Sequence, residues 1–336
     1  MSETQQWDVV IVGAGPAGLA AGLYAARDRF KTLLIEKNGL PGGQIMLTEH
    51  IENYPGYEKI GGFELVEQFK KQATEFGAEI VCSQAVTNLE KTDDGLIRVT
   101  VNKGQAEYLA RAVILAPGSE YRQLGLPGEE ELRQAGKVSY CATCDGAFYR
   151  DKHVLTIGGG NTAVEDTVYL ATRFAGKVTM IHRRTEFRAQ AVLVEELYEK
   201  ADEHNIDVKL PYVADALVPT EDGGEIDHVV LRNVETDETE KLEVDGVFIF
   251  AGMVPNTDWL DGLISRDHSG YVPGDPTTMK TALPGVFVAG DCRQNAPMQL
   301  ATATADGVTA AMQVRDYFRD PSHWCDPQTP CEPKGW

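Results

Sequence analysis

The chain has 336 residues, enough for two domains at the usual ~150 residues each. Hydrophobic residues make up 43% and charged residues 24%, with 33 glycines and 16 prolines, which excludes fibrous and disordered classes. Lys and Arg number 31 against 51 Asp and Glu, a formal net charge of −20, so nucleic acid and anionic membranes are excluded as main partners.

The first eight residues carry no Lys or Arg and so lack the basic region of a secretory signal. Residues 9–26 are uncharged over 18 positions, the length at which a membrane span comes into question. Four glycines and a proline in that run instead spell strand, turn and helix. Six cysteines are too few for a secreted disulfide scaffold, so the expected compartment is the cytoplasm.

In chain order, residues 8–12 are a short β-branched run, expected as a buried parallel strand. They lead into Gly13-Ala-Gly-Pro-Ala-Gly18 and an Ala-rich helix over 19–27. A strand at 32–36 follows, then a helix over 63–76, strand-like segments at 79–90 and 97–101, and a buried strand in 112–118. The cycle restarts at 154–157 with Gly158-Gly-Gly-Asn-Thr-Ala163, a helix to about 174 and a strand over 178–181. Later strands are expected within 247–250 and 285–291, and a last helix over 300–318. Residues 320–336 hold prolines 321, 327, 330 and 333 and are expected as an irregular tail. Two dinucleotide-type βαβ units about 145 residues apart predict an α/β fold with two Rossmann-like domains.

The first unit has the Gly-x-Gly-x-x-Gly spacing at Gly13, Gly15 and Gly18. Those glycines serve the tight turn, the approach of backbone to a pyrophosphate, and close helix–strand packing. Pro16 and Ala17 complete the loop, and Glu36, followed by Lys37, ends the next strand where an acid binds a ribose hydroxyl. The second unit has Gly158, Gly160 and Ala163 in the same roles, with Asn161 and Thr162 opening the helix. Its second strand ends without an acid and runs into His182-Arg183-Arg184, with Arg188 beyond. A carboxylate there would repel a 2′-phosphate, whereas guanidiniums bind one, so NADPH is expected, a solvated basic turn being the plainer reading. FAD is expected at the first site, because Gly290-Asp291 follows a buried strand and the helix from Leu300 can direct its dipole at a flavin.

Cys141-Ala-Thr-Cys144 is either a redox pair or half of a zinc site. Zinc needs four ligands at fitting spacing. The only other close pair, Cys325 and Cys331, is in the tail, and Cys82 and Cys292 are isolated, so no metal is expected. Asp145, next to Cys144, is placed to give a proton to a leaving thiolate, or is a solvated turn residue.

Cys-Ala-Thr-Cys-Asp-Gly, Ile-Gly-Gly-Gly-Asn-Thr-Ala-Val-Glu and His-Arg-Arg-x-x-Phe-Arg-Ala resemble the low-molecular-weight, bacterial-type NADPH-dependent thioredoxin reductases. So do Gly42-Gly43-Gln44, Glu52-Asn-Tyr-Pro-Gly56 and the run over 285–291, and the resemblance covers about residues 7–318. It implies three-layer ββα domains: a discontinuous FAD domain at 1–120 and 250–319, and an inserted NADPH domain at 121–249 that carries the dithiol. It further implies a cytoplasmic homodimer that serves redox homeostasis by reducing thioredoxin or a thioredoxin-like protein. In that likeness Cys144 faces the flavin, Cys141 attacks the thioredoxin disulfide and Asp145 is the acid. Gly43, Gln44, Asn53, Asp291 and Gln299 fall on FAD contacts, and the inserted domain rotates on crossings near 119–123 and 250–253.

Two features depart from the family. Its Arg-Gln-Ala beside the flavin is Met298-Gln299-Leu300 here, which removes a cation near the cofactor. The tail adds Trp324, Cys325, Cys331 and Trp336, read as a surface segment, a flap over the active site or a second dithiol. The rival functions are a reductase fed by ferredoxin, a dithiol oxidase, and a non-catalytic flavin and thiol sensor. The Arg cluster argues against the first two, and the complete relay argues against the third.

Overall fold

The computed structural model describes residues 5–48, 51–322 and 324. Strand β1 (Gln5–Val12) is apolar on both faces from Val9 onward, as a strand covered on both sides must be. Val9 and Ile11 point into one core and Val10 and Val12 into the other. Helix α1 (Pro16–Arg27) begins three residues before the expected 19, because proline's fixed φ and missing N–H suit the first helical position. β2 (Thr32–Ile35) runs parallel to β1, with Val9 opposite Thr32 and Val12 opposite Ile35.

After α2 (Gly62–Glu75) come β3 (Glu79–Val81), β4 (Val86–Lys91), β5 (Ile97–Val101) and β6 (Ala106–Leu115). The stretch expected as strand-like at 79–90 is thus two strands on opposite edges of one sheet, ordered β3-β2-β1-β6-β5-β4. Ser83, at a φ of 58°, turns the chain between them.

β7 (Ser119–Tyr121) leads to α3 (Glu129–Gln134), β8 (Val138–Ser139) and the short α4 (Ala142–Asp145). Then follow β9 (His153–Ile157), α5 (Asn161–Arg173), β10 (Lys177–Ile181), α6 (Ala191–Ala201) and β11 (Ile206–Lys209). β12 (Tyr212–Pro219), β13 (Ile226–Asn233) and β14 (Thr239–Leu242) form a separate antiparallel sheet, and β15 (Gly246–Ile249) returns to a parallel one, ordered β11-β10-β9-β15-β8. β16 (Met253–Pro255), β17 (Val286–Val288), which pairs parallel to the end of β6, and α7 (Leu300–Arg319) follow.

By packing, the chain divides into two compact units, Met1–Glu120 with Val254–Trp336, and Tyr121–Met253. Phe250 stays with the second unit because its N–H bonds to Ile157 O (2.8 Å) and its ring packs in that unit's core. In each unit the first glycine loop follows the central strand, at the point where the strand order reverses: β2 on one side of β1 and β6 on the other, β10 on one side of β9 and β15 on the other. Ligands in open α/β sheets bind at that crevice.

Among the described residues no helix is long and apolar enough to cross a membrane, and residues 9–26 supply β1, the glycine turn and α1. Trp324 is docked: its ring meets Phe287 and Tyr317 edge-to-face at 5.0 and 5.3 Å, and its Nε1–H donates to Thr281 O at 3.1 Å. Cys325, Cys331 and Trp336 lie outside the described residues. Trp324→Ala is expected to cost about 2 kcal/mol, less than for a fully buried Trp, lowering the denaturation midpoint. An unchanged midpoint would show that the contact carries no stability.

Candidate active site

In the first unit, Gly13 adopts a φ of +98°, and a Cβ there would stand 2.2 Å from Ala116 O, so only glycine makes this turn. Glu36 is buried, accepting the N–H of Ala14 and that of Asn38 at 2.9 Å each, and so holds the glycine loop to the end of β2. Gly43 lies against Gly15, where a Cβ would sit 3.3 Å from the Gly15 Cα. Gln44 donates to Ser119 O, and Asn53 Nδ2 donates to Gln299 Oε1 at 3.4 Å. Pro16, Ala17 and Gly18 form the first turn of α1, while Lys37 is paired with Glu120 at 2.6 Å. The start of α7 is fixed by Thr302, whose hydroxyl accepts the Gln299 N–H at 3.3 Å, and no acid stands in the first turn.

Gly290 and Asp291 lie just past β17, next to Ala17. Burial, with the Asp306 charge second, pushes the Asp291 carboxyl up to about 6, and among the described residues it accepts no hydrogen bond. A largely desolvated acceptor without donors fits the hydroxyl-rich ribityl chain of FAD. Met298, in place of the family's arginine, stands at a φ of 55°.

In the second unit the three glycines divide the work. A Cβ at Gly158 would strike the Ala163 Cβ at 2.5 Å, and one at Gly159 the His182 ring at 2.3 Å. At Gly160 it would meet nothing within 4 Å, which leaves the space a pyrophosphate needs at the start of α5. Asn161 is partly structural, its Oδ1 accepting the Gln190 N–H at 2.9 Å, and Thr162 is exposed.

His182 is buried against Phe187 (rings 5.7 Å apart), its Nε2 has no partner, and burial followed by Arg188, Arg184 and Arg183 lowers its pKa. The imidazole is therefore neutral, and the positive charge at this loop is that of the exposed Arg183, Arg184 and Arg188. The Arg188 N–H bonds to Gly159 O at 2.7 Å, which draws this loop up to the glycines. An open glycine cradle and unburied guanidiniums fit NADPH.

Also in the second unit, Cys141 and Cys144 are joined as a disulfide across α4, with their Cα atoms 5.3 Å apart. Cys144 is exposed and Cys141 half-buried. Asp145 is raised from the ordinary carboxylate range by burial, against the opposing pull of a 2.6 Å hydrogen bond from Ser139. The Ser139 hydroxyl also accepts the Cys141 N–H at 3.1 Å and so ties acid and dithiol together. Sequence reasoning missed Ser139, and nothing in its local pattern marks it. Of the two readings of CxxC, the closed disulfide is the one observed.

The chain matches the pyridine nucleotide-disulphide oxidoreductase family over residues 7–307. It is 42% identical over 322 residues to the thioredoxin reductase of Bacillus subtilis (strain 168), covering 95% of this chain and 97% of that one. To the thioredoxin reductase of Treponema pallidum (strain Nichols) it is 43% identical over 317 residues, 93% of this chain and 97% of that one. The crystal structure of thioredoxin reductase from Streptococcus pyogenes superposes with a TM-score of 0.83 at 38% identity, over 94% of this chain and 99% of that one. With two glycine loops at sheet switch points and a closed CxxC disulfide, the chain belongs to the pyridine nucleotide-disulphide oxidoreductases, in the branch that holds the thioredoxin reductases.

Proposed function

We propose that the chain works as a thioredoxin reductase, with electrons passing from NADPH through FAD to the Cys141–Cys144 pair and on to the disulfide of a thioredoxin. The observation that carries this reading is the closed Cys141–Cys144 disulfide with the half-buried carboxyl of Asp145 beside it. FAD would be held in the first unit by Gly13, Gly15, Glu36, Gly43 and Asp291, and NADPH in the second by Gly160, Arg183, Arg184 and Arg188. Bound FAD supplies the two-electron step between nicotinamide and disulfide.

The residues of the chain do the rest. Reductive opening leaves two thiols. The Cys141 thiolate attacks one sulfur of the thioredoxin disulfide, the second leaves as a thiolate, and a mixed disulfide forms. Cys144 then attacks Cys141, restoring the internal disulfide and releasing dithiol thioredoxin. Asp145, whose hold on its proton burial strengthens, gives a proton to a departing thiolate, and Ser139 holds it there. The chain would act in the cytoplasm as a homodimer; its low cysteine content supports the first, family resemblance suggests the second, and sedimentation equilibrium checks it.

Asp145→Asn is expected to slow thioredoxin reduction roughly 10²-fold, with flavin bleaching by NADPH unchanged. The wild-type rate should fall as pH rises through the Asp145 pKa, since the acid form is the donor, and the variant should lose that alkaline limb. The function itself is tested by NADPH oxidation coupled to an oxidised thioredoxin. Turnover on NADPH supports it. Turnover only with reduced ferredoxin, or with oxygen as sole acceptor, would replace it with a rival.

A further inference from the structure

A buried ion pair under the Gly290–Asp291 turn takes no part in the chemistry described above. Arg293 and Asp306 are 6% and 7% exposed. Arg293 Nε donates to Asp306 Oδ2 at 3.0 Å and Nη2 to Oδ1 at 3.4 Å, while Nη1 donates to Gln294 O at 3.2 Å. The same Asp306 Oδ2 accepts the Gly290 N–H at 3.1 Å. Burying two opposite charges is a costly way to hold α7 against a loop, and apolar side chains do that job as well. The pair's position gives it another use.

We infer that Arg293 and Asp306 are positioning residues for the ribityl subsite of FAD: together they fix the Gly290–Asp291 turn and, through their charge balance, control how firmly Asp291 accepts a ribityl hydroxyl. This rests on the flavin site proposed above. Gly290 has a φ of +74°, and a Cβ there would come 2.9 Å from the Ala17 Cβ, so the turn sits close against α1. The charge that raises the Asp291 carboxyl is that of Asp306 on α7, and Arg293, from the loop after Asp291, is paired with that same Asp306 carboxylate. The adjacent Cys292 thiol, pushed up to about 12 by burial, stays neutral, and α1 brings Ala17 to Gly290.

Asp306 repels the ionised form of Asp291, and the Arg293 guanidinium, paired with Asp306 at 3.0 Å, offsets the Asp306 charge. Asp291 binds a hydroxyl best as a carboxylate, so flavin affinity holds above the pKa of the free site and falls as pH drops through it. Removing the Asp306 charge lowers that pKa. Removing the Arg293 charge raises it. The two variants therefore move the acid limb in opposite directions, which a mere structural brace would not do.

The test is FAD release from the holoprotein, followed by the fluorescence of free FAD from about pH 5 to 8. In Asp306→Asn, which keeps an acceptor for the Gly290 N–H, the acid limb should move about one pH unit lower, and in Arg293→Gln by a similar amount higher. Either variant alone decides the sign if the other fails to fold. Equal weakening at every pH, or an unmoved limb, overturns the proposal. Wild-type FAD retention by Asp291→Asn would instead overturn the flavin-site reading, and the proposal with it.

Discussion

Cys144→Ser is expected to leave a protein that NADPH bleaches at close to the wild-type rate but that reduces thioredoxin at least roughly a thousandfold more slowly. Cys141 and Cys144 act as a unit, held across one turn of helix with 5.3 Å between Cα atoms. With serine at 144 no internal disulfide can form, so nothing accepts electrons for Cys141 to pass on. A mixed disulfide between Cys141 and thioredoxin then has no internal thiol to resolve it. Rapid-scan absorbance follows the first half-reaction, and thioredoxin-coupled NADPH oxidation the second. Thioredoxin turnover within tenfold of wild type would remove the dithiol from the account.

Replacing both Arg183 and Arg184 by Gln should lower kcat/KM for NADPH about 10²-fold while leaving that for NADH unchanged. Each charge-assisted contact to a phosphate contributes about 1.5–3 kcal/mol when desolvated. Both side chains are exposed, so the lower end applies, and about 3 kcal/mol in total corresponds to about 10²-fold. Arg188 remains and keeps some discrimination. His182 adds no charge, since burial and the three arginines hold it neutral at pH 7. Equal losses with both nucleotides would mean that the cluster braces the loop rather than reads the 2′-phosphate.

The parts of this molecule that were legible in sequence are those written in adjacent residues. The strands over 8–12 and 154–157, the glycine loops after them and the CxxC are local patterns with local physical causes, and the structure has each loop at a sheet switch point. The expected helix over 300–318 and strand at 97–101 likewise match α7 and β5 within a residue. Three features were not legible because each joins residues distant in sequence. Lys37, expected at the FAD site, meets Glu120; Arg293 meets Asp306 inside the core; Trp324 leaves the expected irregular tail to dock on Phe287. The antiparallel sheet of β12, β13 and β14 carries no glycine fingerprint and was passed over. Ser139 is the clearest loss. Its role follows only from Asp145 and the Cys141 backbone converging on one hydroxyl.

An anaerobic stopped-flow experiment on the FAD-loaded protein puts the relay itself to the test. NADPH and NADH are compared as donors, flavin absorbance is followed, and oxidised thioredoxin is added to the reduced protein. The account predicts fast bleaching by NADPH, much slower bleaching by NADH, and reoxidation on adding thioredoxin that is lost in Cys144→Ser. If neither nucleotide bleaches the flavin while reduced ferredoxin does, the NADPH site proposed at Gly160, Arg183 and Arg184, and with it the electron path from NADPH, is contradicted.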